Sequence, residues 1–153
     1  MINEMHPNDT RTNPVLEKVF LALRTNFIPD FPKEHITLRY YKNIRWQTLL
    51  ADAARLDKKL PATVMHDGEW HQWRSGGNQF RGLWLKAPDS TIFDHLNMPH
   101  ITVPNKFAKY VDLKDIPALE VIDCLWVVRS INHQYHWTKV SGKPIGAENV
   151  IGI

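Results

Sequence analysis

Runs in which apolar and polar residues alternate every second position predict strands, and runs with apolar residues three and four apart predict helices. Residues 1–13 are polar, with Pro7, Asn8, Asp9 and Thr10, and read as a flexible lead-in. Val15, Leu16, Val19, Phe20 and Leu23 sit at helical spacing behind Pro14, which predicts a helix over residues 14–26. A proline-punctuated loop follows, Phe27 to Lys33, and leads into a strand beginning at His35. Trp46, Leu49, Leu50, Ala53, Leu56 and Leu60 predict a second helix over residues 45–60, closed by Pro61. Strands are then expected over residues 63–66 and 70–73 around an Asp67-Gly68 turn. Another is expected over residues 80–87 after the Ser75-Gly76-Gly77-Asn78 turn, then a short helical turn over 92–96 and a strand from His100 to Val103. A helical turn over 107–110 and a strand pair over 124–130 and 135–140 complete the expected elements. The sum is an α+β fold in one domain, residues 1–153.

Two of the expected strands carry the same pattern: His35-Ile36-Thr37-Leu38 and His100-Ile101-Thr102-Val103. In a strand the histidine and threonine of each copy share one face, and the aliphatic residues face the other way, free to enter a core. Two such strands facing one another would gather two imidazoles and two hydroxyls. One neutral and one protonated imidazole form a base–acid pair near neutral pH, and the threonines could bond phosphate oxygens that gain charge in the transition state. By the same alternation Arg39 and Tyr41 should continue the His35–Thr37 face, with Arg39 placed to pair with a phosphate. Lys106, just after the second copy, is a similar candidate. Trp73 and Trp137, near polar residues and turns, are candidates to stack on a base, and Glu148 is a candidate contact to a base edge.

Charged residues at 23% and apolar ones at 43% are ordinary for a soluble globular domain, and no apolar run is long enough to cross a membrane. The N-terminus lacks a basic-then-apolar signal pattern, and the single Cys124, in an apolar run, excludes an internal disulfide; a cytoplasmic location is expected. A net charge of +3 permits an anionic ligand, and without a polybasic run it does not suggest a duplex-DNA surface. Five further histidines (His66, His71, His95, His133 and His136) read as solvated surface residues, and Trp84 and Trp126 as core. No His-Glu-x-x-His or Cys-x-x-Cys spacing is present, so no metal or other cofactor is expected.

The paired His-x-Thr copies, each followed by an apolar residue, with Pro99 ahead of the second, resemble the signature of the 2H phosphoesterase superfamily. The resemblance implies a bilobal fold of two antiparallel-sheet lobes related by a pseudo-twofold axis, flanked by helices around a central groove. It implies metal-independent phosphodiester chemistry by His35, Thr37, His100 and Thr102. The histidines are 65 residues apart, from 35 to 100, and the stretch from Trp84 to His100 has no room for a long helix. Such a compact chain is most similar to the phage anti-CBASS nucleases, which cleave 3′-5′ bonds of cyclic di- or trinucleotide signals and would act in a host cytoplasm in viral immune evasion. A 2′,3′-cyclic phosphodiesterase, a 2′-5′ RNA ligase-like enzyme acting on a short RNA-like substrate, and a non-catalytic nucleotide-binding module stand as alternatives.

Overall fold

The computed structural model describes residues 13–86, 88, 92–93, 99–122, 124–132, 134–140 and 149–151. In chain order these form β1 (Val15–Arg24), β2 (His35–Arg45), α1 (Trp46–Asp57), β3 (Thr63–Ser75), β4 (Asn78–Leu85) and β5 (His100–Thr102). There follow α2 (Asn105–Ala108), a 3₁₀ turn (Leu113–Asp115), β6 (Leu119–Val121), β7 (Leu125–Ile131), β8 (Gln134–Lys139) and β9 (Asn149–Ile151). The strands make two antiparallel sheets, one ordered β2-β1-β7-β8-β9 and the other β5-β4-β3-β6. The fold is α+β, with two antiparallel sheets and few helices. No helix among the described residues is long and apolar enough to cross a membrane.

Each His-x-Thr triplet opens an edge strand, β2 in the first sheet and β5 in the second, and the two edges approach each other within 8 Å between Cα atoms. One core explains the meeting. Ile36 and Leu38 from β2 and Ile101 and Val103 from the second copy are buried in the same cluster, with Leu49, Ala53 and Leu56 of α1 and Leu83 of β4. Because alternate residues are committed to this core, the histidines and threonines are turned out of it.

Residues 15–24 form a strand, which corrects the helix expected over 14–26. β1 lies between β2 and β7, and Phe20 to Leu23 are buried without alternation because both faces of the sheet are covered there. A continuous apolar run is common to buried helices and central strands, and here β pairing on both sides decides. The strand expected to break at Asp67-Gly68 is instead continuous from Thr63 to Ser75. The register against β4 steps from His66↔Leu85 to Trp70↔Leu83, so Asp67 and Gly68 lie in a bulge with Gly68 at φ +82°. The real hairpin turn is at Gly76-Gly77, both with positive φ, which glycine adopts without a Cβ clash. The expected helical turn over 92–96 and the lead-in over 1–13 fall largely outside the described residues.

At Gly82 of β4, paired with Thr102, the second edge strand packs so closely that a Cβ would stand 2.0 Å from the Ile101 carbonyl oxygen. Gly82→Ala should therefore push β5 away from β4. The expected cost is about 1–3 kcal/mol by urea denaturation, with amide chemical-shift changes concentrated at residues 100–103. Wild-type stability and unshifted β5 amides would show that the contact is not tight.

Candidate functional site

His35 is positioned by the loop that precedes it. Glu34 is buried, and its carboxylate accepts the backbone N–H groups of Phe27 at 2.7 Å and Ile28 at 2.6 Å, tying residues 27–34 into one turn. Burial raises this carboxyl above the usual range, opposed by the hydrogen bonds it accepts. Glu34 was not singled out in the sequence, where an acid after lysine reads as a surface residue. The next residue, His35, donates from Nδ1 to the Lys33 carbonyl oxygen at 2.7 Å. A carbonyl only accepts, so the proton of the neutral ring resides on Nδ1 and Nε2 keeps a lone pair. The ring is packed against Phe20, Tyr135 and Trp137, with centroids 5.1, 5.6 and 6.1 Å away.

This enclosure lowers the His35 pKa from 6.5 to about 4. Burial is the largest cause; the Lys33 carbonyl works in the opposite direction, and the charges of His100 and Lys33 lower it further. The influence of His100 is the electrostatic sign that the two motif histidines stand near each other across the edge-to-edge contact. His100 itself pairs in register with Trp84 and rests against Trp73, ring centroids 4.8 Å apart and tilted by 64°. The face of the second sheet that carries His100 and Thr102 also carries His71, Trp73 and Trp84, since paired residues of an antiparallel ladder share a face.

Residues from both motifs line one cavity of about 250 Å³. His35 and Thr102 belong to its wall, with Tyr135 beside them. Lys33 and Lys106 line it from the β1–β2 loop and α2, and Phe31 and Phe107, stacked at 4.9 Å, join these two segments. Thr37 and His100 are half-buried and are not part of this lining. Two cationic side chains, a neutral imidazole and a hydroxyl around one small cavity suit an anion with oxygen acceptors.

Several expected contacts are corrected. Arg39 and Tyr41 do not continue the His35–Thr37 face. The register of β2 against β1 shifts at Leu21/Ala22, with Thr37 opposite Ala22 and Arg39 opposite Leu21, so Leu38 is the extra residue of a bulge. Past it the faces exchange: Tyr41 turns toward α1 and donates its hydroxyl to Asp52, while Tyr40, 70% exposed, takes the site face and meets Phe20 at 5.5 Å. Arg39 acts electrostatically on Tyr41 and Asp52 on this helix side. Trp137 is 0% exposed, packed with Phe20, Ala22, Trp126 and Val128, and offers no face to a base in this conformation. Trp73, half-buried beside His100, and Lys106, at the cavity, keep positions at the site. Glu148, His95 and His133 lie outside the described residues.

His66 is buried rather than solvated, bonding the Pro117 carbonyl through Nε2 at 2.9 Å and accepting the Gly68 N–H on Nδ1 at 3.0 Å. Its role is to brace the β3 bulge. His71 is half-buried, stacked flat on Trp84 at 3.8 Å and bonded to Asp67 at 2.7 Å. Trp84 is accordingly half-buried, while Trp126 is core as expected. His136 is also half-buried. Among the described residues, Asp67, Glu69 and His71 bring potential ligand atoms within 4.8 Å of one another on the partly exposed bulge, two strands from β5.

No family model, curated protein or solved structure matches the chain. The chemistry of the site rests on its own geometry.

His35 gives a pH signature of folding. Unfolded, its imidazole takes a proton below about pH 6.5; folded, it resists protonation down to about 4. Between these limits the unfolded chain binds more protons, so stability falls as pH drops from 6.5 toward 4 and the contribution is fully present above 6.5. His35→Gln should flatten this part of the stability–pH curve by up to about 1.4 kcal/mol per pH unit, read from urea midpoints of both proteins. Parallel curves would show that His35 titrates normally in the fold.

Proposed function

We propose that the protein is a metal-independent phosphodiesterase of the 2H type that hydrolyses 3′-5′ phosphodiester bonds of cyclic di- or trinucleotides, as in viral evasion of nucleotide-signalled immunity. The observation that carries the reading is that His35 and Thr102, from different motifs on the edge strands of different sheets, line the same cavity. The two-sheet arrangement, with β2-β1-β7 answering β5-β4-β3, agrees with the pseudo-twofold symmetry that the family resemblance implies.

In this reading His35 is the base and His100 the acid. His35 is neutral across the physiological range, with Nε2 unprotonated, and can take the proton of an attacking water or ribose hydroxyl. As that oxygen bonds to phosphorus, the bond from phosphorus to the leaving oxygen breaks, and a protonated His100 supplies the proton to that oxygen. The charge of His100 is among the causes that hold His35 neutral. Thr102, with Thr37 beside His35 on the same face, would bond the non-bridging oxygens as they gain charge. Lys33 and Lys106 would hold the phosphate by charge, and Trp73 would flank the acid. The nucleophile is water or a ribose hydroxyl and the base and acid are imidazoles, so the mechanism needs no ion.

Incubation with a panel of cyclic dinucleotides, cyclic trinucleotides and 2′,3′-cyclic mononucleotides in EDTA, followed by mass analysis, tests the activity. Turnover of a cyclic oligonucleotide is expected to survive chelation; turnover lost in EDTA and restored by a divalent metal would contradict the mechanism. His35→Ala and His100→Ala should each lower kcat by about 10²- to 10⁴-fold with much smaller changes in KM. The double variant should fall far short of the product of the two losses, because the groups act in one step. Thr102→Val should cost less than either. Wild-type turnover by a folded single-histidine variant would make the paired motifs structural.

A further inference from the structure

A second cleft, of about 360 Å³, lies beside the first, and Phe31 and Pro32 form part of the wall of both. Its other side is polar: Arg24, Thr25 and Asn26 at the end of β1, and Glu120 on β6, with Trp126 below. Arg24 is the cross-strand partner of His35 and shares its face of the sheet. Its guanidinium lies over the rings of Trp137 at 4.9 Å and Trp126 at 5.1 Å. A guanidinium over an indole face is attracted by the ring's quadrupole, and its planar fork of N–H donors suits a phosphate. Among the described residues no carboxylate oxygen is within 4.0 Å of it.

We infer that this cleft receives the second nucleotide of the substrate, its phosphate on Arg24 and its base edge toward Glu120, so that the protein selects oligonucleotides over cyclic mononucleotides. The inference rests on the phosphodiesterase reading and adds the place in the structure that would hold the second nucleotide. The first cavity is below the range of ligand pockets, roughly 300–1,000 Å³, and the second is near its low end, and the two share the wall formed by Phe31 and Pro32. A fixed guanidinium next to the strand position of the base is placed for a phosphate that neighbours the reacting one. Glu120, when ionised, only accepts, which suits the N–H groups of a base edge and not a phosphate.

The test measures binding by calorimetry in the His35→Ala/His100→Ala protein, so that nothing turns over, with a 3′-5′ cyclic dinucleotide and a 2′,3′-cyclic mononucleotide as probes. Arg24→Gln should weaken the dinucleotide by about 10- to 100-fold, at least tenfold more than it weakens the mononucleotide. Asn26→Asp, an exposed change that adds a negative charge to the cleft, should weaken the dinucleotide selectively if Arg24→Gln fails to fold. Equal shifts for both probes, no shift, or a folded parent protein that binds no dinucleotide would overturn the inference. Selective binding that depends on Arg24 in a protein whose wild-type form turns over no substrate would count against the acid–base mechanism and leave the cleft standing.

Discussion

The arrangement depends on two edge strands sharing one core. An edge strand has a single ladder of backbone hydrogen bonds, so its position is set largely by what its side chains bury. In β2, and in β5 with the residue that follows it, alternate aliphatic residues, Ile36 with Leu38 and Ile101 with Val103, enter the same cluster as Leu49, Ala53 and Leu56 of α1. Each of these fully buried side chains is worth roughly 1.5–3 kcal/mol relative to an exposed one, and their loss on a one-residue slip would be paired with burial of a histidine and a threonine. Such a slip is therefore strongly disfavoured. The same alternation that commits the aliphatics inward turns His35 and Thr102 toward a common cavity. Packing and site geometry are two consequences of one register.

Electrostatics follows from where each histidine stands on this frame. His35 is enclosed by Phe20, Tyr135 and Trp137 and held by the Lys33 carbonyl, whereas His100 meets Trp73 at one side of its ring. The two copies of one motif thus occupy different surroundings, which in the proposed reaction would give chemically identical groups different roles. The buried Glu34 contributes at a distance: by fastening Phe27 and Ile28 it fixes the loop whose Lys33 carbonyl sets the His35 tautomer.

The His-x-Thr strands and α1 are legible in the sequence because each has one buried and one more open face, which writes a period into the residues, whereas β7, buried from Leu125 to Val128, is legible from its β-branched and aromatic run. β1 is not, because a central strand covered on both sides loses its period, and Val15, Leu16, Val19, Phe20 and Leu23 then fit a helix equally well. The bulge at Leu38 has no local mark, yet it exchanges the faces beyond it and moves Arg39 and Tyr41 off the site while bringing Tyr40 onto it. Trp137 looked accessible beside His136 and Thr138, and only the packing of Phe20 and Trp126 across β1 and β7 reveals that it is covered. The place of Arg24 beside His35 has no mark in the sequence because it is a cross-strand register, which no local pattern records.

The central claim, that the two motif imidazoles serve one phosphate, is tested most directly by histidine-ring NMR during titration with a nucleoside 3′-monophosphate. Resonances of His35 and His100 are expected to move together along one binding curve, with those of His66, buried and fully bonded at the β3 bulge, left in place. Movement of only one of the two, or separate curves with different midpoints, would contradict a shared phosphate site.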